Sequence, residues 1–159
     1  MQKITPCLWF DDQAEDAVKY YLSVFKNGAI KQITYYGKDG YEIHKKQEGS
    51  VMTVVFEFNG ERYMALNGGP EFKFNEAISL MVHCETQEEI DYFWEKLSAG
   101  GEQGPCGWLK DKFGVSWQIV PAIMGQLLSS PEKTGKIMKV LLKMKKLDIA
   151  LLESAAKTS

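Results

Sequence analysis

The sequence predicts an α+β fold made of paired βαβββ modules, followed by C-terminal helices. The main observation is an internal duplication, because a strand-like segment followed by a capped helix begins at Ile4 and again at Ile78, 74 residues later. A second observation is that each helix is followed by three strand-like segments, an order typical of helices packed on one face of antiparallel or mixed sheets. The 159 residues, of which 45% are hydrophobic and 25% charged, are enough to form a core without disulfides.

The first module begins with a strand predicted at 4–10. Asp12-Gln13-Ala14-Glu15 then has the pattern of a capping box, in which the first and fourth side chains satisfy backbone N–H groups at a helix start. Apolar residues follow at the i, i+3, i+4, i+7 spacing of one helix face, namely Ala14, Ala17, Val18, Tyr21, Leu22 and Phe25. Strands are predicted at 30–36, 51–58 and 62–66, with a two-residue hairpin turn at Asn59-Gly60.

The second module repeats this order from a strand predicted at 78–84. Thr86-Gln87-Glu88-Glu89 is again a capping box. The helix that it starts has one apolar face, formed by Ile90, Phe93, Trp94 and Leu97. Further strands are predicted at 102–106, 108–110 and 115–120.

After Pro121 the apolar spacing becomes helical. Ser130-Pro131 supplies an N-cap and a proline at the first helical position, and Asp148 is the predicted cap of a last short helix. The helix between them has an apolar stripe, which we expect to pack on the outside of a sheet or on a second subunit; it comprises Ile137, Val140, Leu141 and Met144. We therefore predict a domain at 1–121, with modules at about 1–70 and 75–121, and a helical extension at 122–159.

The net charge of −2 argues against a general nucleic-acid-binding protein. The charge is unevenly distributed, since the segment after Pro121 has seven lysines and three acidic residues, a local balance of +4. Four of these lysines are predicted on one helical face: Lys136, Lys139, Lys143 and Lys146. Such a face is either solvated or a surface for an anionic partner, so an interaction module that uses the tail helix is one functional hypothesis.

The expected location is the cytoplasm, without membrane association. No apolar run approaches the ~20 residues needed to span a bilayer, and the first residues do not have the pattern of a signal peptide. The three cysteines, Cys7, Cys84 and Cys106, are odd in number and far apart, which excludes a disulfide framework and a CxxC metal site. This usage is typical of a reducing compartment.

Few catalytic motifs are present. The sequence contains no GxxxxGK[ST] phosphate loop, no GxGxxG after a strand and no GxSxG elbow. Only two histidines occur, His44 and His83, so a site with several histidine ligands cannot form within one chain. Cys7 as nucleophile and His83 as acid or base are the catalytic candidates, although a small buried cysteine and a structural histidine are the alternative interpretations.

Several segments together resemble the PhnB-like family. They are Ile-Thr-Pro-Cys-Leu-Trp-Phe at 4–10, Leu-Asn-Gly-Gly-Pro at 66–70, the run from Cys106 to Pro121, and Lys-Met-Lys-Lys-Leu-Asp-Ile-Ala at 143–150. The domain of this family carries the name 3-demethylubiquinone-9 3-methyltransferase. The family belongs to the vicinal oxygen chelate superfamily, with glyoxalase I, bleomycin-resistance proteins and extradiol dioxygenases. The resemblance covers essentially residues 3–155.

The resemblance implies that each module curls into half of a cup, with one cavity per pair of modules, and that the protein is a homodimer. The cup is completed either within one chain or across the dimer. In the metal-dependent relatives, the first, fourth, fifth and eighth strands supply the ligands. The matching residues here are Thr5, Asn67, Ser79 and Gln118, with glutamine where the relatives have glutamate. The lost carboxylate charge is worth roughly 4 kcal/mol per unit of metal charge at ~4 Å and an effective dielectric of ~20. We therefore expect no metal and no cofactor.

The methyltransferase name implies an adenosylmethionine site that the sequence does not support. Such enzymes typically have a glycine-rich turn within βαβαβ alternation, and this chain has neither. The glycines at 100–107 have the wrong spacing and follow a helix rather than precede one.

The leading hypothesis is a metal-free glyoxalase-like protein that binds a small organic molecule. Alternation along the strands selects the candidate ligand-binding residues Thr5, Cys7, Trp9, Asn67, Ser79, Met81, Ser116 and Gln118, which could alternatively only fill the interior. The second hypothesis is an isomerase, lyase or transferase that acts on a similar molecule through Cys7 or His83. The tail-helix interaction module is the third.

Overall fold

A computed structural model of the chain describes residues 3–157, in which eight strands and six helices form two compact units. The first unit ends at Phe74 and the second begins at Asn75. Each unit contains one four-stranded sheet with a helix on one of its faces, which confirms the predicted α+β class. None of the helices within residues 3–157 has both the length and the apolar character that a bilayer-spanning segment requires.

The first unit contains β1 (Cys7–Phe10), α1 (Ala14–Val24), β2 (Gly28–Tyr35), α2 (Tyr41–His44), β3 (Val51–Phe58) and β4 (Glu61–Asn67). The strand order is β1-β4-β3-β2, with β1 parallel to β4 and the other pairs antiparallel. Asn59 and Gly60 both have the positive φ of the predicted hairpin turn, at 52° and 81°. The predicted strand at 4–10 is shorter than expected and begins only at Cys7, because Pro6 has no N–H to continue the ladder.

The second unit contains β5 (Leu80–Cys84), α3 (Gln87–Ser98), β6 (Glu102–Gln103), β7 (Trp108–Lys110), β8 (Ser116–Pro121), α4 (Met124–Leu127), α5 (Pro131–Leu141) and α6 (Ile149–Lys157). Its strand order is β5-β8-β7-β6, with β5 parallel to β8. This order repeats that of the first sheet strand for strand, so the duplication seen in the sequence is a duplication of topology.

Each sheet has one face covered by a helix and an opposite face that is not covered by it. In the first unit, α1 packs on β3 and β4 and buries side chains on both sides of the contact, among them Val18, Tyr21, Leu8, Phe10, Val54 and Ala65. In the second unit, α3 packs on β7 and β8 and buries Ile90, Trp94, Leu97, Leu109, Trp117 and Ile119. Because side chains alternate along a strand, the residues between these buried positions lie on the other face of each sheet.

Helix α1 begins differently from the prediction. Its N-cap is Gln13, not Asp12, and no local side chain caps it. Instead, the backbone N–H of Ala14 donates to Oδ1 of Asn67 at 2.8 Å. The cause is tertiary: Asn67 lies opposite Phe10 in the parallel β1–β4 pair, which brings its amide to the start of the helix. The predicted caps at Thr86, Ser130 and Asp148 are all confirmed.

Asn67 connects three elements of the first unit. Besides capping α1, its Nδ2 donates to the carbonyl of Val51 at 3.0 Å, and its own carbonyl accepts from the hydroxyl of Tyr36 at 2.6 Å. The residue is only 5% exposed. Its amide thus satisfies a backbone donor and a backbone acceptor that water does not easily reach.

The tail packs on the second unit through three residues of the predicted stripe, Ile137, Leu141 and Met144. Ile137, Leu147 and Leu152 are buried against Val120 of β8, and Leu141 and Met144 are partly buried around them. Of the two expected partners, a sheet and a second subunit, the stripe therefore contacts the sheet of its own chain.

The tail lysines do not form the single helical face that the sequence predicts. Helix α5 ends at Leu141, where the N–H groups of Lys143 and Met144 bond to carbonyls three residues earlier instead of four. Beyond it, the carbonyls of Met144 and Lys145 accept hydrogen bonds from the backbone N–H groups of Cys106 and Gly107. Lys143 and Lys146 therefore lie beyond the helix. Lys136 pairs with Glu132 at 2.7 Å and Lys146 with Asp91 at 2.6 Å.

We expect Asn67→Leu to lower the free energy of unfolding by about 2–4 kcal/mol, because it leaves the Ala14 N–H and the Val51 carbonyl without partners. Urea unfolding followed by circular dichroism measures this. Asn27→Leu is the matched control on an exposed site, with an expected change within about 0.5 kcal/mol. Equal effects of the two substitutions would contradict the role given to Asn67.

We expect Ile137→Ala to lower the free energy of unfolding by about 2–5 kcal/mol, since the side chain is fully buried and its loss leaves a cavity. Leu142→Ala is the control, because Leu142 is 64% exposed. The loss should not depend on protein concentration, and the sedimentation coefficient should not change. A destabilisation that disappears at high concentration would place the stripe at a subunit contact instead.

Candidate functional site

The open face of the second sheet brings together side chains from three strands. Trp108 lies opposite Gln118 across β7 and β8, and Gln118 lies opposite Met81 across β8 and β5. One step along, Lys110 lies opposite Ser116. Since directly opposite residues share a face, these five side chains define what we call the second open face.

A buried carboxylate fixes this register. Asp111, which is 3% exposed, accepts the backbone N–H groups of Phe113 and Val115 at 2.8 and 3.1 Å through Oδ1. Its Oδ2 accepts the indole N–H of Trp117 at 2.8 Å. These bonds close the turn between β7 and β8 and hold Trp117 on the covered face, so that its neighbours Ser116 and Gln118 lie on the second open face.

A cavity of about 340 Å³ lies at the β6–β7 edge of this face. Its lining includes Glu76, Glu102, Pro105, Trp108, Lys110 and Ser116. The volume lies in the range of about 300–1,000 Å³ that is typical of small-molecule sites. Met81 and Gln118 lie on the same face but outside the cavity, and Trp108 lies between these two residues and the interior of the cavity.

The polar groups at this site are already oriented by one another. Lys110 Nζ lies 2.6 Å from Glu76 Oε1, and Gln118 Nε2 donates to Ser79 Oγ at 2.9 Å. The hydrogen bond between Lys110 and Glu76 raises the pKa of the lysine above its ordinary value and lowers the pKa of the glutamate. Both groups are therefore charged at neutral pH.

The structure brings the second-unit candidates of the sequence analysis to one place. Ser79 immediately precedes β5 and bonds to Gln118, while Met81 and Ser116 lie on the same face. Sequence reasoning missed Trp108, Lys110, Glu76 and Glu102. The alternation of Trp108 and Lys110 around buried Leu109 was a usable signal for the first two, whereas no local pattern indicates that Glu76 reaches Lys110.

The first-unit candidates are arranged differently. Thr5 precedes β1 and is exposed, and Cys7 and Trp9 lie on the face opposite α1. The indole N–H of Trp9 donates to the carbonyl of Gly69 at 2.9 Å, and its ring meets Phe72 edge-on at 5.0 Å. A Cβ at Gly68 would overlap the Trp9 ring, and Gly69 has a φ of 101°, so each position of this pair favours glycine for its own reason. Asn67 shares the covered side with Phe10, so alternation separates it from Trp9.

The two catalytic candidates lie in different units. Cys7 is an exposed residue, but its thiol is partly buried. This burial raises the pKa of the thiol above its ordinary value and so lowers the thiolate fraction at neutral pH. Within residues 3–157, no hydrogen bond joins Cys7 to a base. His83 lies opposite Val120 on the same face as Met81 and is exposed.

The residues at the matched ligand positions do not fit a divalent metal. Thr5 and Asn67 belong to the first unit, Ser79 and Gln118 to the second, and all four offer only neutral oxygen or amide groups. Both ends of the Asn67 amide and the Nε2 group of Gln118 are engaged in hydrogen bonds with the protein. In the described part of the chain, no three His, Cys, Asp or Glu side chains converge as metal ligands. Zn²⁺ and Fe²⁺ favour nitrogen, sulfur or carboxylate donors, which this set lacks.

The fold is shared with several solved structures. A putative 3-demethylubiquinone-9 3-methyltransferase, the PhnB protein from Bacillus cereus, is 38% identical, with a TM-score of 0.65; the match covers 76% of this chain and all of that one. Protein PA1353 from Pseudomonas aeruginosa is 16% identical, covering 76% and 98%, with a TM-score of 0.61. The fosfomycin resistance protein FosX from Listeria monocytogenes, solved with Mn(II), is 14% identical, covering 75% and 92%, with a TM-score of 0.54.

Among proteins of curated function, none is significantly similar in sequence to this chain. The model of the 3-demethylubiquinone-9 3-methyltransferase family matches residues 2–120, which is most of the chain. Together with the Bacillus cereus relative, this match and the two curled sheets confirm the resemblance drawn from the motifs. The chain therefore belongs to the PhnB-like family, the 3-demethylubiquinone-9 3-methyltransferase domain family within the glyoxalase and bleomycin-resistance (vicinal oxygen chelate) superfamily.

Proposed function

We propose that this protein binds a small organic molecule on the second open face, in the cavity at the β6–β7 edge. The observation that carries the proposal is the register that places Trp108 both in the wall of the cavity and beside Gln118. A small-molecule site typically combines an apolar wall with a few polar groups that orient the ligand. Here Trp108 and Pro105 supply the wall. The Lys110–Glu76 pair and Ser116, whose hydroxyl also donates to the carbonyl of Asn75, supply polar groups in the lining, and Gln118 lies next to Trp108 on the open face outside the cavity.

The Gln118 amide forms a hydrogen bond with the Ser79 hydroxyl, in which Nε2 is the donor. Because Nε2 donates to the serine hydroxyl, the other end of the amide is the carbonyl oxygen, which accepts no hydrogen bond from residues 3–157. A ligand seated on Trp108 would meet this acceptor without any rearrangement of the protein. A polar group oriented before binding costs less entropy to use than one that must be ordered by the ligand.

The proposal includes no metal-dependent step and no methyl transfer. The donor groups at the matched positions do not fit a divalent metal, as described above. The usual frame of an adenosylmethionine site is a doubly wound parallel sheet. The two sheets of this protein are of another kind, since each has a single parallel pair among its strands.

A homodimer remains part of the proposal, and its interface needs a surface other than the tail stripe. Ile4 and Ile78 occupy equivalent positions just ahead of the first strand of each unit and are 82% and 74% exposed. Single exposed apolar side chains are common on protein surfaces, so the homodimer rests on the family resemblance and these two positions serve as its test. We expect the wild-type protein to sediment as a dimer at micromolar concentration and the double variant Ile4→Glu/Ile78→Glu to sediment as a monomer. A wild-type monomer would contradict the dimer.

The binding proposal is tested by a thermal-shift screen of small organic molecules, with calorimetry on the hits. We expect Trp108→Leu to weaken binding by about tenfold or more, which corresponds to about 1.4 kcal/mol. Gln118→Ala removes one hydrogen bond and should weaken it by about two- to tenfold. Gln126→Ala changes an exposed glutamine on α4 and should leave affinity unchanged.

Two results would contradict this assignment. One is a set of hits whose affinity is unchanged in both Trp108→Leu and Gln118→Ala. The other is a loss of binding only in Trp9→Leu, which would move the site to the first unit.

A further inference from the structure

We infer that the molecule bound in this cavity is an organic cation. This inference rests on the proposed function and names the chemical class of its ligand. Three observations carry it: the balance of charges in the lining, the engagement of the only basic side chain there, and the indole of Trp108.

The ionisable side chains that line the cavity are Glu76, Glu102 and Lys110, which sum to a charge of −1. Lys110 is the single basic group among the lining residues, and its ammonium is held by Glu76 at 2.6 Å. Glu102 lies opposite Lys110 across β6 and β7, on the same face, and its negative charge contributes to the raised pKa of Lys110. The pair Glu76–Lys110 is thus neutral as a unit, and Glu102 adds a negative charge beside it.

The charge of a ligand therefore decides whether the Lys110–Glu76 ion pair must break when the ligand binds. An anion would reach the ammonium of Lys110 only by displacing Glu76, or it would lie against two carboxylates. A cation meets the negative charge of Glu102 and Glu76 with the Lys110 bond intact. The electrostatic cost of entry is lower for the cation.

Trp108 favours the same class. Its indole lines the cavity and is partly exposed, and within residues 3–157 no other aromatic ring or cation packs on it. A cation within about 6 Å of an indole centroid is attracted by the negative face of the ring. The wall formed by Trp108 and Pro105 suits the apolar body that carries the charge, as in an alkyl or aryl ammonium compound.

The test uses three probes with the same phenyl ring and different charge: benzyltrimethylammonium, benzyl alcohol and phenylacetate. Dissociation constants are measured by calorimetry at low salt, where interactions with exposed charges are least screened. We expect the cation to bind more tightly than the alcohol, by about two- to fivefold or more, and phenylacetate to bind most weakly.

Variants assign the preference to the cavity. Glu102→Gln should weaken binding of the cation by about two- to fivefold and leave binding of benzyl alcohol unchanged. Trp108→Leu should narrow the difference between these two probes without abolishing it, because the charge of Glu102 stays. Glu61→Gln, an exposed acidic residue of the first unit, is the control and should leave all three constants unchanged.

Phenylacetate binding as tightly as the cation would overturn the inference, and so would a cation preference of undiminished size in both variants. In either case, loss of benzyl alcohol binding in Trp108→Leu would still support the proposed function. If none of the three probes binds, the cation inference is overturned. If the wider screen yields no hit at all, the proposed function itself is overturned.

Discussion

The carboxylate of Asp111 is the contact on which the second unit depends. It is buried, and a buried carboxylate is tolerated only where hydrogen bonds replace its hydration. Three N–H groups do so, from Phe113, Val115 and the indole of Trp117. These bonds fix where β8 begins relative to β7, and the two-residue alternation of a strand then decides the rest. A slip of one residue would exchange Gln118 and Trp117 between the two faces.

The two units share a topology but use their open faces differently. In the first unit, Trp9 is tied to Gly69 and packs against Phe72, so its ring helps to close the connection after β4. In the second unit, the equivalent face has a cavity beside Trp108, and the tail covers only the Val120 end. The two units thus share a frame and differ in the side chains that occupy its open face.

The sequence was informative where structure depends on neighbours along the chain. The hairpin at Asn59-Gly60 and the caps at Thr86 and Ser130 were predictable because their signals lie within four residues. The cap of α1 was not, since Asn67 is 53 residues from Ala14 and a local capping box at Asp12 gave a competing signal. The candidate site likewise depends on contacts between residues that are distant in the sequence.

Alternation placed Ser116 and Gln118 on one face, but their pairing with Trp108 depends on the turn at Asp111. The Glu76–Lys110 contact joins residues that no periodicity links.

The most direct test of binding at the second open face is a ligand titration followed by ¹H–¹⁵N NMR of the side-chain signals. The four tryptophans give four indole N–H reporters. Binding at the second open face predicts shifts of the Trp108 indole and the Gln118 amide, with those of Trp9 and Trp94 unchanged. Shifts confined to Trp9 or Trp94 would contradict it.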